Sequence, residues 1–363
     1  MKRTLFTLLA MVCSCVGLSA QGIGEPQPIM TITLLGTGVP LVDPAAYVDS
    51  GQVTAGLLVV AGLERLLFDC GQGILTRLLE SGGPAASPNA AVDRVFISHL
   101  HSDHYADLPA LYNFAWLYRD TDPLEVWGPG PGPNSPFGMG SMMPLLRAVD
   151  DADIYIRCCL FTLFTFAASG ENTIVMELKP GVVYQSNGVT VTAFLVNHMP
   201  VNPAYGFRVD YQGHSFVYSG DTKYDPTTLL TKMATGVDLL AHEVYGFDQA
   251  SGPEVFNYHT NPEDLAKLLT IAQPRLTALT HQAIPPGTTG EDLVTRIRDA
   301  GYNGPVQLGA DLMSFDIFPN FVGINNPILP SDRRANKRNV PARSLPLELA
   351  LPPDVRALRP AGP

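Results

Sequence analysis

The chain has 363 residues, a formal net charge of −11, 46% hydrophobic residues and 16% charged residues. That composition describes a globular protein with a sizeable core and excludes a disordered or repetitive chain. The acidic balance repels phosphate backbones and argues against a nucleic-acid partner.

Residues 1–20 read as a secretory signal peptide: Lys2 and Arg3, an apolar run from Leu5 to Leu18, then small residues before Gln21. The run is shorter than the ~20 residues a spanning helix needs. Secreted or periplasmic placement is therefore expected, with no membrane span after signal cleavage. Lipoprotein anchoring through Cys13 or Cys15 is less favoured. Of the five cysteines, Cys70, Cys158 and Cys159 lie beyond the signal, and an odd count without framework spacing does not describe a disulfide scaffold.

Residues 21–29 read as a leader. Met30 to Leu35 alternates as a strand and ends in Gly36-Thr37-Gly38, taken as a tight turn because no longer phosphate-loop pattern follows. Thr54 to Ala61 and Arg65 to Asp69 form a hairpin around Gly62, followed by a helix from Ile74 to Glu80. Ala91 to Ser98 is a strand and Tyr105 to Tyr118 a helix. Leu124 to Trp127 is a short strand, Gly128 to Gly140 a loop and Met142 to Ala148 helical. Asp153 to Arg157 and Thr173 to Leu178 read as strands, whereas 158–172 fits strand or helix. Strands follow at Val189–Val196, Tyr205–Tyr211 and Ser215–Ser219. Thr227–Met233, Pro262–Ala272 and Gly290–Ala300 are helical, alternating with strands Leu239–His242, Leu276–Thr280 and Val306–Leu308. This order predicts an αββα sandwich of two mixed sheets over residues 30–318. Residues 319–363, rich in Pro and Arg, read as a flexible tail.

The chemistry concentrates in His99-Leu100-His101-Ser102-Asp103-His104, which holds three of the eight histidines. Imidazole and carboxylate are ligands that borderline-hard divalent metals prefer. Four such groups within six residues cannot all reach one tetrahedral ion without severe strain, so they are expected to be shared between two. The missing ligands fall at strand ends: His198, Asp221 in Ser219-Gly220-Asp221-Thr222, and His281. Asp221 stands alone and has two oxygens, which suits a bridge.

This pattern resembles the metallo-β-lactamase fold superfamily, and within it the tRNase Z-like branch. Supporting residues are Leu35-Gly36-Thr37-Gly38-Val39-Pro40, Phe68-Asp69-Cys70-Gly71-Gln72-Gly73, His242-Glu243, His259-Thr260 and Leu279-Thr280-His281. The resemblance implies His99, His101 and His198 on one ion, and Asp103, His104 and His281 on the other, with Asp221 shared. The implied ions are two zinc, with manganese or iron as alternatives. It also gives His259 the place of a proton donor, with Glu243 or His242 behind it, while Asp103 both binds metal and orients a bridging hydroxide.

Pro180 to Tyr184, Val189 to Phe194 and Tyr205 to Tyr211 look most like the secreted arylsulfatase-like members. The expected activity is thus a secreted dinuclear hydrolase of small sulfate or phosphate esters, acting on a small-molecule substrate with no nucleic acid. The alternatives are a tRNase Z-like phosphodiesterase or nuclease, a lactone or β-lactam hydrolase, and a non-catalytic metal-binding scaffold. A homodimer is left open.

Overall fold

The computed structural model describes residues 26–40, 51–81, 92, 94–118, 123–156, 173–248 and 257–327. Two sheets face each other. The first holds eight strands: β1 (Met30–Gly36), β2 (Gly56–Ala61), β3 (Glu64–Phe68), β4 (Arg94–Phe96), β5 (Leu124–Pro129), β6 (Thr173–Leu178), β14 (Ser314–Ile317) and β15 (Val322–Asn325). Their order is β15-β14-β1-β2-β3-β4-β5-β6. The second holds β7 (Gly181–Ser186), β8 (Val189–Leu195), β9 (Tyr205–Tyr211), β10 (His214–Tyr218), β11 (Leu239–Tyr245), β12 (Leu276–Ala283) and β13 (Val306–Leu308), in the order β13-β12-β11-β10-β9-β8-β7. Both sheets are mixed: β3 to β6 pair in parallel, as do β10 to β13, while the remaining pairs are antiparallel.

Side chains alternate across each strand, and that alternation builds three apolar layers. Phe68 and Phe96 point between the sheets and meet Phe207 of the opposite sheet at ring separations of 5.2 and 5.9 Å. Their neighbours Leu67 and Val95 point outward and are covered by α1 (Ile74–Glu80) and α2 (Leu108–Tyr118). Behind the second sheet, Leu240 and Leu279 pack under α5 (Pro262–Ala272) and α6 (Gly290–Asp299). Both of these helices start on strong signals. Asn261 caps α5 by accepting from Asp264 N–H at 2.7 Å, with Pro262 next, and Thr289 with Asp292 forms a capping box on α6.

The αββα architecture is as the sequence predicts, with local differences. Asp153 to Tyr155, expected as strand, ends α3 (Met139–Tyr155), a helix longer than the expected Met142–Ala148; Pro144 inside it masked the periodicity. Thr227–Met233 shrinks to α4 (Leu230–Ala234). Val322–Asn325 falls in the stretch expected to be loose tail, yet it pairs with Ser314–Ile317 and adds an edge strand. The signal region, the ambiguous residues 158–172 and the chain beyond 327 lie outside the described residues. No helix among the described residues is long and apolar enough to cross a membrane.

The Gly36-Thr37-Gly38 turn holds a carboxylate of the chain's own. Asp311 accepts from Thr37 N–H and its hydroxyl at 2.9 Å each, and from Val53 N–H at 2.9 Å.

Candidate metal centre

The site forms where strands end. His99 follows β4, His198 follows β8, Asp221 follows β10, and His281 lies near the end of β12. Strands β8, β10, β11 and β12 run the same way, so their carboxyl ends open onto one crevice, the usual ligand position in such sheets.

After His99 the chain turns through a short 3-10 segment, Ser102–His104, which buries Asp103 and His104. This turn is pinned by Cys70 N–H donating to the His104 carbonyl at 2.7 Å. Gly71 is required beside it, because a Cβ there would collide with the Asp103 carbonyl and the Thr54 hydroxyl.

His281 has a different local origin. Pairing between β11 and β12 jumps from Glu243↔Thr280 to Val244↔Gln282, so His281 is the extra residue of a bulge. Its φ of 44° is left-handed, which is costly for a side chain with a Cβ and typical of a functional site.

The seven expected ligand residues converge. His99 Nε2 lies 3.0 Å from His101 Nδ1, and His198 Nε2 lies 3.3 Å from that same Nδ1. Asp221 Oδ2 is 3.7 Å from His99 Nε2, 4.0 Å from His198 Nε2 and 3.3 Å from His104 Nε2. Asp103 Oδ2 is 3.1 Å from His281 Nε2 and 3.4 Å from His104 Nε2. Asp221 Oδ1 reaches His281 Nδ1 at 3.5 Å. A tetrahedral zinc ion with bonds of ~2.0–2.1 Å has ligand atoms about 3.3–3.4 Å apart. The spacings, from 3.0 to 4.0 Å, bracket that edge length. Ligand atoms also group, with His99, His101, His198 and Asp221 in one set and Asp103, His104 and His281 in another, the division that the resemblance implies. Asp221 also groups with His259 and His281, which places it between the sets.

The donor set fits a metal on independent grounds. Among the described residues, the buried atoms His104 Nε2, His281 Nδ1 and Asp221 Oδ1 have no hydrogen-bond partner. Such orphans are costly unless something else satisfies them. Protonation states divide the set: against burial, Asp221, Asp103 and Asp69 lift His104 well above its usual range, so that ring would release a proton on taking up metal. Burial pushes the pKa of His99 and His101 down, and that of His198 down to about 3, which leaves them neutral donors. Burial works against ionising Asp103 and Asp221, but the surrounding histidines, His104 and His281 foremost, hold both well below the usual carboxylate range.

Beside the clusters, His259 Nδ1–H donates to Glu243 at 3.0 and 2.8 Å. Burial lowers the His259 pKa, yet the Glu243 carboxylate overrides this and lifts it to about 9. Glu243 also accepts from Thr222 N–H at 2.7 Å, tying the pair to the loop that carries Asp221. His242 differs from its expected place in the machinery. It does not join the ligand clusters, and its Nδ1 bonds the Glu243 carbonyl at 2.6 Å. Strand alternation puts it on the face of Leu240 and Val244, which pack under the helices, and burial brings its pKa down to about 4.

Asp69 is the residue that sequence reasoning left without a role. It is fully buried, and its Oδ2 accepts from the Ser98 hydroxyl at 2.8 Å, His104 Nδ1–H at 2.8 Å and the Tyr218 hydroxyl at 2.7 Å. Its Oδ1 accepts from Ser98 N–H at 2.7 Å. It therefore fixes the tautomer and ring orientation of His104, as outer carboxylates do for metal-binding imidazoles. Its place in Phe68-Asp69-Cys70-Gly71 was a signal, but nothing in the sequence showed that it meets His104.

Comparison with known proteins decides the family. The sequence matches the metallo-beta-lactamase superfamily over residues 48–133 and the beta-lactamase superfamily domain over residues 152–282. A protein named Ribonuclease Z from Mycobacterium sp. (strain KMS) is 32% identical over 300 residues, covering 80% of this chain and 97% of its own length. The chain belongs to the metallo-beta-lactamase superfamily. Ribonuclease Z of Mycobacterium marinum is 31% identical over 299 residues, with 80% of this chain and 99% of the relative covered. Among solved structures, the metallo-beta-lactamase fold protein YhfI from Bacillus subtilis superposes with a TM-score of 0.56 at 22% identity, covering 79% of this chain and 99% of that one. The short form of human tRNase Z also gives 0.56, at 21% identity and the same coverages. At those identities the two structures speak for the fold. The relatives' names support the tRNase Z-like resemblance and give none to the expected closeness to arylsulfatase-like members. They also weigh against the expectation that nucleic acid has no place among the substrates.

Proposed function

We propose that the chain is a dinuclear metal-dependent hydrolase of phosphodiester bonds, with zinc as the resident metal. One observation carries the reading: Asp221 stands between two ligand sets, with the His259–Glu243 pair against the same crevice. His99, His101 and His198 would hold one ion and Asp103, His104 and His281 the other, with Asp221 shared. Two such ions supply Lewis-acid stabilisation of the charge that develops on a phosphoryl group. The chain's own residues do the rest. Asp103, whose Oδ2 lies beside His281 Nε2 and His104 Nε2, orients the attacking oxygen. His259 keeps its proton past neutral pH and, with Nδ1 held by Glu243, offers Nε2–H to the leaving oxygen. His242 supports the strand from its helix-facing side.

The similarity to proteins named Ribonuclease Z makes RNA a substrate to test. A second reading keeps the same site but acts on small sulfate or phosphate esters outside the cytoplasm. The net charge of −11 and the basic, then apolar, start of the chain favour it. Purified protein is expected to carry about two metal ions and to hydrolyse bis(4-nitrophenyl) phosphate. Precursor tRNA and 4-nitrophenyl sulfate assayed in parallel separate the two readings. Two bound ions without turnover of any of the three would overturn the hydrolase assignment.

A further inference from the structure

Asp221 stands between the two ligand sets, yet its carboxylate has little of its own to hold it. Its Oδ1 is buried and has no hydrogen-bond partner among the described residues. The chain must aim this side chain through the backbone on either side. Before it, the chain turns sharply at Gly220, whose φ of 58° and close approach to the Tyr205 carbonyl and Ser98 suit a residue without a Cβ. After it, Thr222 is gripped at both its backbone groups. Its N–H donates to Glu243 Oε1 at 2.7 Å, and its carbonyl accepts from the Thr260 hydroxyl at 2.5 Å.

Both grips come from the neighbourhood of the proton donor. Glu243 is the partner of His259, and Thr260 is the residue after His259. The contacts close a ring: His259 to Glu243, Glu243 to the Thr222 N–H, the Thr222 carbonyl to the Thr260 hydroxyl, and along the chain back to His259. One residue before His259, the Tyr258 carbonyl accepts from His198 Nδ1–H at 2.9 Å, so the same short segment orients a ligand of the first set. Thr260 is itself a firm anchor. It is fully buried, its carbonyl accepts from Tyr245 N–H at 2.8 Å, and Asn261 beside it caps α5. A β-branched side chain is stiff about χ1, which suits a hydroxyl that must point one way. Thr277, also fully buried, leaves its hydroxyl without a partner, as a threonine kept for shape does. The Thr260 hydroxyl instead meets a carbonyl one residue from the shared ligand.

We infer that Thr260 is a positioning residue for the shared carboxylate: its hydroxyl holds the Thr222 backbone so that Asp221 stays aimed between the two ligand sets. This rests on the two-ion reading above and adds the residue that keeps its common ligand in place. It also makes the aim of Asp221 and the place of His259 depend on one ring of contacts.

Metal affinity tests this apart from turnover. Metal-depleted protein titrated with zinc against a chromophoric chelator gives both affinities. Thr260→Val keeps the shape and removes the hydroxyl, and both ions should weaken by about tenfold or more, the range seen when a buried partner behind a ligand is lost. Thr260→Ser restores the hydroxyl and removes the methyl, and should keep both affinities close to native. Native affinities in Thr260→Val would show that the residue only fills space and would overturn the proposal. So would Thr260→Ser weakened as much as Thr260→Val, or a loss confined to one ion. Should Thr260→Val not fold, Thr260→Ala against Thr260→Ser asks the same question across the hydroxyl alone, and equal affinities in that pair overturn it. Failure of the two-ion reading shows instead in the native protein, which would bind fewer than two ions and take the proposal with it. Native protein that binds two ions yet hydrolyses no phosphodiester fails as a hydrolase and leaves the role of Thr260 standing.

Discussion

Asp69→Asn isolates the buried carboxylate that faces the site from behind. The substitution is isosteric, so no cavity forms. The amide retains one oxygen, which can still accept from Ser98 N–H, the bond now measuring 2.7 Å. At the other position an NH2 group replaces the oxygen that accepts three donors: the Ser98 hydroxyl, His104 Nδ1–H and the Tyr218 hydroxyl. The two hydroxyls can rotate and accept instead. His104 cannot, because its other nitrogen faces Asp103 and Asp221. The ring must flip, change tautomer or leave its donor opposed. Each charge-assisted bond lost in a buried site is worth about 1.5–3 kcal/mol, and removing such an outer carboxylate typically costs 10–100-fold in metal affinity. The loss should be unequal. The ion on Asp103, His104 and His281 should weaken by that factor, and the ion on His99, His101 and His198 by no more than a few-fold. Competition against a chromophoric chelator resolves the two affinities. Equal weakening of both ions, or native affinity at both, would refute the role assigned to Asp69.

Four other outcomes follow from the site. Chelating the metals should lower the melting temperature, since each ion present at about 100 times its Kd adds ~2.7 kcal/mol to the folded state; an unchanged melt, with no metal in the purified protein, would sink the dinuclear centre. His259→Ala should keep both ions but lose activity by about 10²–10⁴-fold on esters with poor leaving groups, and far less on nitrophenyl esters; equal losses on both would remove its role as the acid. In metal-free protein, NMR should show His259 titrating near pH 9, and Glu243→Gln should bring it down, because burial is then opposed only by the more distant Asp221 charge; an unmoved midpoint would show that Glu243 is not its partner. Cys70 is buried and its thiol is pushed well above the usual range, by burial first and then by Asp107 and Asp69. Alkylation at pH 8 should miss it in the native protein and label it in denaturant; native labelling would contradict its position under the 3-10 turn.

The sequence by itself determined the αββα class, and its motifs named the candidate ligands, whose division between two ions is what the family resemblance implies. Those features are local: strand alternation, helix caps, and metal-binding residues concentrated at strand ends. It could not place a side chain whose direction depends on register. His242 and Glu243 are neighbours in sequence, yet β11 sends one toward the helices and the other to His259, and the alternation becomes legible only once the strand's two faces are known. His281 read as the residue after a strand. Tertiary pairing made it the extra residue of a bulge at φ 44°, because β11 and β12 slip register there. Asp69 and His104 are 35 positions apart, and Tyr218 is 149 positions from Asp69. Pairing of β3 beside β4 brings Asp69 to His104, and the stacking of the second sheet on the first brings Tyr218 to Asp69. The sequence supplied the groups able to hold metal; long-range packing decided which buried partners orient them.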